Sequence, residues 1–138
     1  MKPLNELAKD IYLANKEKGF WPDDPKERNI GELIALMHSE LSEALEAHRT
    51  GAKWPDEYDL DLVHASLGLD RQGLTSDEIA PFMDEFQTRI KNSLPDELAD
   101  TIIRVLDFCG AHDIDIESHI ELKLAYNKLR PHKHGKKL

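Results

Sequence analysis

Apolar residues recur three and four positions apart in four separate stretches of the chain, and nowhere do they alternate with polar residues over a strand's length. That period marks amphipathic helices, because about 3.6 residues make a turn and the repeated side chains then share one side. The first stretch, residues 3–18, puts Leu4, Leu7, Ala8, Ile11 and Ala14 together; Pro3 suits a first-turn position and Gly19 ends the helix. A loop over 20–24 runs into Pro25. The second stretch starts at Lys26 or Asn29 and ends at His48, with Ile30, Leu33, Ile34, Met37, Leu41, Ala44 and Leu45 on one side and Gly51 beyond as a C-cap. The third, 95–111, has Ser93 ahead of it and Asp96 and Glu97 in its first turn, where negative charge favours the helix dipole. The fourth, 116–129, is capped by Asp113 or Asp115 and stopped by Pro131.

Between the second and third stretches, residues 51–93 read as an insert or flap. Trp54-Pro55, the acidic run over 56–61, and Gly51, Gly68 and Gly73 break any long helical pattern over 51–74; a short helix over 76–90 follows. The expectation is one all-α domain over 1–138. Its form is a four-helix bundle with an inserted segment between two acid-bearing helices, and a basic tail over 131–138.

Charge narrows the function classes. The 27 acidic residues outnumber 18 basic ones, for a net charge of −9. That weighs against non-specific binding to nucleic acid or an anionic membrane, which needs a basic surface, and suits a protein that holds cations. No apolar run reaches the length of a secretory signal core or a membrane span, so the expected location is the cytoplasm. The single cysteine, Cys109, rules out an intramolecular disulfide and lies on the apolar arc of its helix, as a small buried hydrophobe would.

Two pairs of acids stand out against this pattern. On a wheel of about 100° per residue with Glu40 at zero, Leu33 lies near 20°, Ala44 near 40° and Ala47 near −20°. Glu40 therefore sits inside the apolar stripe, and Glu43, three residues on, at its edge. In the third helix Glu97 and Asp100 border the stripe made by Leu98, Ala99, Ile102, Ile103, Val105 and Leu106. Ionised carboxylates aimed at a core are costly unless protons or cations compensate them. Oxygen ligands without cysteine or histidine favour Mg²⁺, or Mn²⁺ in its place, over Zn²⁺. Single E-x-x-E pairs are common on solvated faces; two such pairs on separate helices are the stronger signal. Asp107 and Arg104 lie on the polar side, and Asp100 with Arg104 has the spacing of a local ion pair.

The last helix carries Lys123, Asn127 and Arg130 in one stripe. Such a stripe can grip a polyphosphate, or it can be positive charge favoured by the helix C-terminus.

Three blocks, LMHSELSEALEA over 36–47, DELADTIIRVLD over 96–107 and KLAYNKLRP over 123–131, together resemble the MazG-like branch of the all-α nucleoside triphosphate pyrophosphohydrolases. That family's signature is E-x-x-E, a spacer, E-x-x-D, then a segment like K-x-x-x-N-x-x-R. The resemblance covers roughly residues 20–50 and 94–136. It implies hydrolysis of a nucleoside or deoxynucleoside triphosphate between the α and β phosphates, giving monophosphate and pyrophosphate. Glu40, Glu43, Glu97 and Asp100 would hold Mg²⁺, which acidifies water and neutralises phosphate charge, and Glu40 or Glu43 would take the water's proton. Lys123, Asn127 and Arg130 would hold phosphates or sugar. Trp21 is the candidate stacking surface for the base, Trp54 the second, and His38 and Tyr126 further lining; ordinary packing is the alternative for both tryptophans. The family also implies a homodimer or tetramer. Here 53 residues lie between Glu43 and Glu97, more than in most members, so the extra segment is a lid, an interface arm or a specificity element.

Three other readings use the same features. A non-catalytic helical dimerisation or regulatory module would keep the fold without turnover. A phosphoribosyl-ATP pyrophosphatase-like enzyme would use the same bundle and related acids. A ferritin-like di-metal protein wants two Glu-x-x-His pairs, and the nearest match is Asp61-x-x-His64. His132 and His134 read as part of a solvated tail.

Overall fold

A computed structural model describes residues 1–67 and 76–131. The described residues are all-helical, with no strand: α1 (Leu4–Glu17), a short 3-10 turn (Pro25–Glu27), α2 (Ile30–Arg49), α3 (Glu57–Ser66), α4 (Ser76–Arg89), α5 (Leu94–Ala111) and α6 (Ile116–Leu129). The basic tail, with His132 and His134, lies outside the described residues, as do Gly68 and Gly73.

The helix ends follow local chemistry. α1 stops at Gly19, whose φ of 87° is a left-handed turn that a side chain would strain. Asn29 caps α2 by accepting the Glu32 N–H at 3.1 Å. Asp115 caps α6, accepting from the Ser118 N–H at 3.1 Å and from Asn5 at 2.7 Å. These three partners hold its carboxyl down at about 2, the Asn5 amide first and the Ser118 hydroxyl and N–H next.

One element departs from expectation. Residues 51–74 contain α3, where the sequence pattern predicts no helix. The start signal is a reciprocal cap: Asp56 accepts the Asp59 N–H at 2.9 Å, and Asp59 accepts the Asp56 N–H at 3.1 Å. An aspartate at both positions, inside an acidic run, hides that signal.

Contacts divide the chain into two compact units, one of residues 1–33 with the described residues from Ile103 on, the other Ile34–Ile102. In the first, Ala8, Leu106 and Cys109 form a buried cluster, with Leu4, Leu7, Ile11, Val105, Ile114 and Ile116 packed against it. Burial pushes the Cys109 thiol up, as befits an inert packing residue. Gly110 lets two backbones touch, because a Cβ there would stand 2.1 Å from the Ala8 carbonyl oxygen. A second cluster joins Tyr12, Trp21, Leu33 and Ala111, with Phe108 against it.

In the second unit α3 packs on α4. Arg89 of α4 donates to buried Asp59 of α3 at 3.0 Å, and Lys53 donates to the same carboxylate at 2.9 Å. Lys53 first, then the Asp56 N–H and Arg89, hold the Asp59 carboxyl well below the usual carboxylate range.

Candidate metal centre

In the second unit the buried side of α2 is Glu40, Ala44 and Ala47. These positions share one face at a spacing of four and three. The two alanines leave room beside α2, and Glu40 occupies the centre of the buried arc at 7 % exposure. The larger apolar side chains Ile34, Leu41 and Leu45, which the sequence pattern assigns to the core, are exposed. On α5 the same inversion holds. Asp96 and Glu97 are buried, whereas Leu98 and Ile102 are exposed.

The start of α5 explains how Glu97 is aimed. Ser93 Oγ accepts the Asp96 N–H at 3.3 Å, while Asp96 Oδ2 accepts the Asn92 N–H at 2.9 Å. Asn92 takes a left-handed φ of 61°, which asparagine tolerates better than most residues. The first turn is thereby pinned, and Glu97 and Asp100 project three residues apart on one face.

Carboxylate oxygens of Glu40, Glu97 and Asp100 lie within 4.8 Å of one another. Glu43, one turn along α2, comes close enough to Glu97 for their carboxyl groups to share a proton. The two also line an open pocket of about 270 Å³ with Thr50 and Asn92. Three of the four acids singled out in the sequence therefore meet, and the fourth, Glu43, lies beside Glu97. Burial, then the Glu43 hydrogen bond and the charges of Glu43, Asp96 and Asp100, push the Glu97 carboxyl above its ordinary value. Crowded acids of this kind take up either protons or a cation. The grouped donors are all hard oxygens, with no sulfur and no imidazole, and could hold a metal ion.

The remaining candidates fall elsewhere. Trp21 is 5 % exposed in the core of the first unit, where it packs edge-on to Tyr12. Its indole N–H donates to both carboxylate oxygens of Asp107, at 3.0 and 3.1 Å. The Arg28 guanidinium lies 5.2 Å from its ring centre. Burial raises the Asp107 carboxyl against the pull of these partners. Lys123 and Asn127, on α6, and Arg130, its C-cap, also belong to the first unit. The Lys123 ammonium and the Arg130 guanidinium lie 5.0 and 5.7 Å from the ring centre of Tyr126. Trp54 and His38, in the second unit, are exposed.

No family model, curated protein or solved structure matches the chain. The chemistry of the centre is read from its own side chains. Among the described residues no helix is long and apolar enough to cross a membrane. Sequence patterning alone missed Asp59, Lys53 and Arg89, paired across 6 and 30 positions, and the capping role of Asp96, which the spacing of Ser93 and Asp96 does signal.

Proposed function

We propose that this chain is a Mg²⁺-dependent hydrolase that cleaves a nucleoside triphosphate between the α and β phosphates, releasing the monophosphate and pyrophosphate. The observation that carries this reading is the meeting of Glu40, Glu97 and Asp100 within 4.8 Å, with Glu43 on the same pocket as Glu97. Those four side chains would hold the ion. When bound, Mg²⁺ supplies charge stabilisation at phosphate oxygens and lowers the pKa of water. Glu43 is the exposed member of the group and can exchange a proton with solvent, which suits it to receive the proton of the attacking water. Buried Glu40 and Glu97 hold the donor set in place, and the cap at Ser93 and Asp96 keeps α5 from turning. On this reading the fold would be a four-helix bundle of the MazG-like type, with residues 51–93 inserted between the acid-bearing helices.

The working form is a homodimer or larger homo-oligomer. Ile34, Leu41, Leu45, Leu98 and Ile102 are 42 to 58 % exposed, an outward apolar surface that a second copy would cover.

The test is a screen of common and modified nucleoside triphosphates with and without Mg²⁺, quantifying pyrophosphate and phosphate separately. Pyrophosphate release that requires Mg²⁺ and disappears in Glu97→Gln and Asp100→Asn supports the reading. An absence of turnover together with an absence of Mg²⁺ binding refutes it in favour of a helical regulatory module.

A further inference from the structure

Beside the carboxylate pocket, and sharing Asn92 with it, the second unit holds another open pocket, of about 360 Å³. Its wall is of the opposite character. Lys53, Arg89 and Lys91 line it together with the polar side chains of Thr88, Asn92 and Ser93, and Asp59 is the one acid among the lining residues. A chain of net charge −9 here gathers three cations around one carboxylate.

Asp59 does more than offset charge. Its side chain is 7 % exposed and takes the Lys53 ammonium at 2.9 Å and the Arg89 guanidinium at 3.0 Å. Arg89 is held a second time by Glu85 at 2.6 Å. The two cations are thus anchored from behind, so less side-chain freedom is lost when a ligand arrives. A guanidinium has five N–H donors, and these contacts leave several over. Lys91 makes no ion pair among the described residues, and the residue is exposed. Three cations lining one pocket, two of them anchored, suit a multiply charged oxyanion.

We propose that this pocket is a pyrophosphate subsite: Lys53, Lys91, Arg89 and Asn92 hold the β and γ phosphates of the triphosphate while the carboxylate pocket serves the scissile end. The inference rests on the hydrolase reading for its substrate, and it moves the phosphate grip from α6 to the segment between the acid pairs. Asn92 stands at the boundary of the two pockets, where its amide can contact the phosphate that passes from one to the other. The length of the segment between the acid pairs then has a use, because it carries Lys53, Arg89 and Lys91.

Inorganic pyrophosphate is the probe. Its dissociation constant is measured calorimetrically with Mg²⁺ present for the wild type, Lys91→Ala and Lys53→Ala/Lys91→Ala, beside kcat and KM for the triphosphate that is turned over fastest. Lys91→Ala leaves the Asp59 pairs intact, so it reports on binding even if the double variant folds poorly. The expected result is about tenfold weaker pyrophosphate binding for each lysine removed, a raised KM, and an unchanged thermal response to Mg²⁺ alone. Pyrophosphate affinity within twofold of wild type in both variants overturns the subsite, and turnover that persists with it leaves the hydrolase reading standing. Lysine-dependent pyrophosphate binding in a protein that turns over no triphosphate leaves the subsite standing and removes the hydrolase reading.

Discussion

Replacing Glu97 by glutamine should make the metal-free protein more stable, though it removes a buried and well-packed group. Oxygens of Glu40, Glu97 and Asp100 lie within 4.8 Å of one another. At that distance and an effective dielectric constant of about 20, each ionised pair costs roughly 3.5 kcal/mol. Protonation caps the cost, since keeping an ordinary glutamate protonated at pH 7 takes only about 3.5 kcal/mol. Glutamine removes the charge, and its amide donates to the neighbouring carboxylates. The expected gain is therefore about 1–3 kcal/mol, or roughly 3–10 °C in Tm for a chain of this length. The size of the gain depends on pH. The raised Glu97 pKa means its contribution to stability is fully present below the ordinary glutamate value and is lost as pH rises through the raised one. The advantage of the variant thus vanishes near pH 4 and grows toward pH 7. Mg²⁺ should remove most or all of that advantage, because saturation at a hundredfold excess over Kd adds about 2.7 kcal/mol to the wild type and less to a variant that binds it more weakly. Differential scanning calorimetry in chelator and in Mg²⁺ checks both statements. A variant that melts below wild type in chelator at pH 7, or gains as much from Mg²⁺, would refute the reasoning.

Three further outcomes are expected. Asp59→Asn should lower the urea midpoint at pH 7, and the two curves should converge as pH falls below the ordinary carboxylate range. The depressed Asp59 pKa makes its contribution present above that range and lost below it. Gly110→Ala should cost about 1–3 kcal/mol or more, since the new Cβ meets the Ala8 carbonyl oxygen at 2.1 Å; a wild-type Tm would show the contact to be slack. Leu41→Glu and Leu45→Glu, both on the outward apolar surface, should shift sedimentation toward the monomer without loss of helicity, and an unchanged sedimentation coefficient would count against a second copy there.

Helix positions and the acid pairs were legible because each depends on residues a few positions apart. Apolar spacing located α1, α2, α5 and α6, and the Glu40 and Glu97 pairs showed as carboxylates among apolar side chains. Which face is buried was not legible. A wheel shows that Glu40 lies on the stripe, but it cannot show that Ala44 and Ala47 mark the inner side while Leu41 and Leu45 face outward. That choice is made by what lies opposite, and the opposing residues are far away along the chain. Trp21 illustrates the same limit, because its partner Asp107 is 86 positions distant. The cations of the second pocket were missed for a different reason. Lys53, Arg89 and Lys91 are scattered over a segment read as an insert, and the α3 cap and the Asp59 pairs that bring Lys53 and Arg89 together join residues up to 30 positions apart.

The cap that opens α5 acts as an index pin. Glu97 follows Asp96 directly, and one residue of slippage swings a helical side chain through about 100°. Lengthening or trimming the chain before Asn92 leaves the pin seated, so the aim of Glu97 does not depend on the length of the preceding segment. A single residue gained or lost between Ser93 and Glu97 would dial the acid away from its companions and unmake the centre without unfolding a single turn.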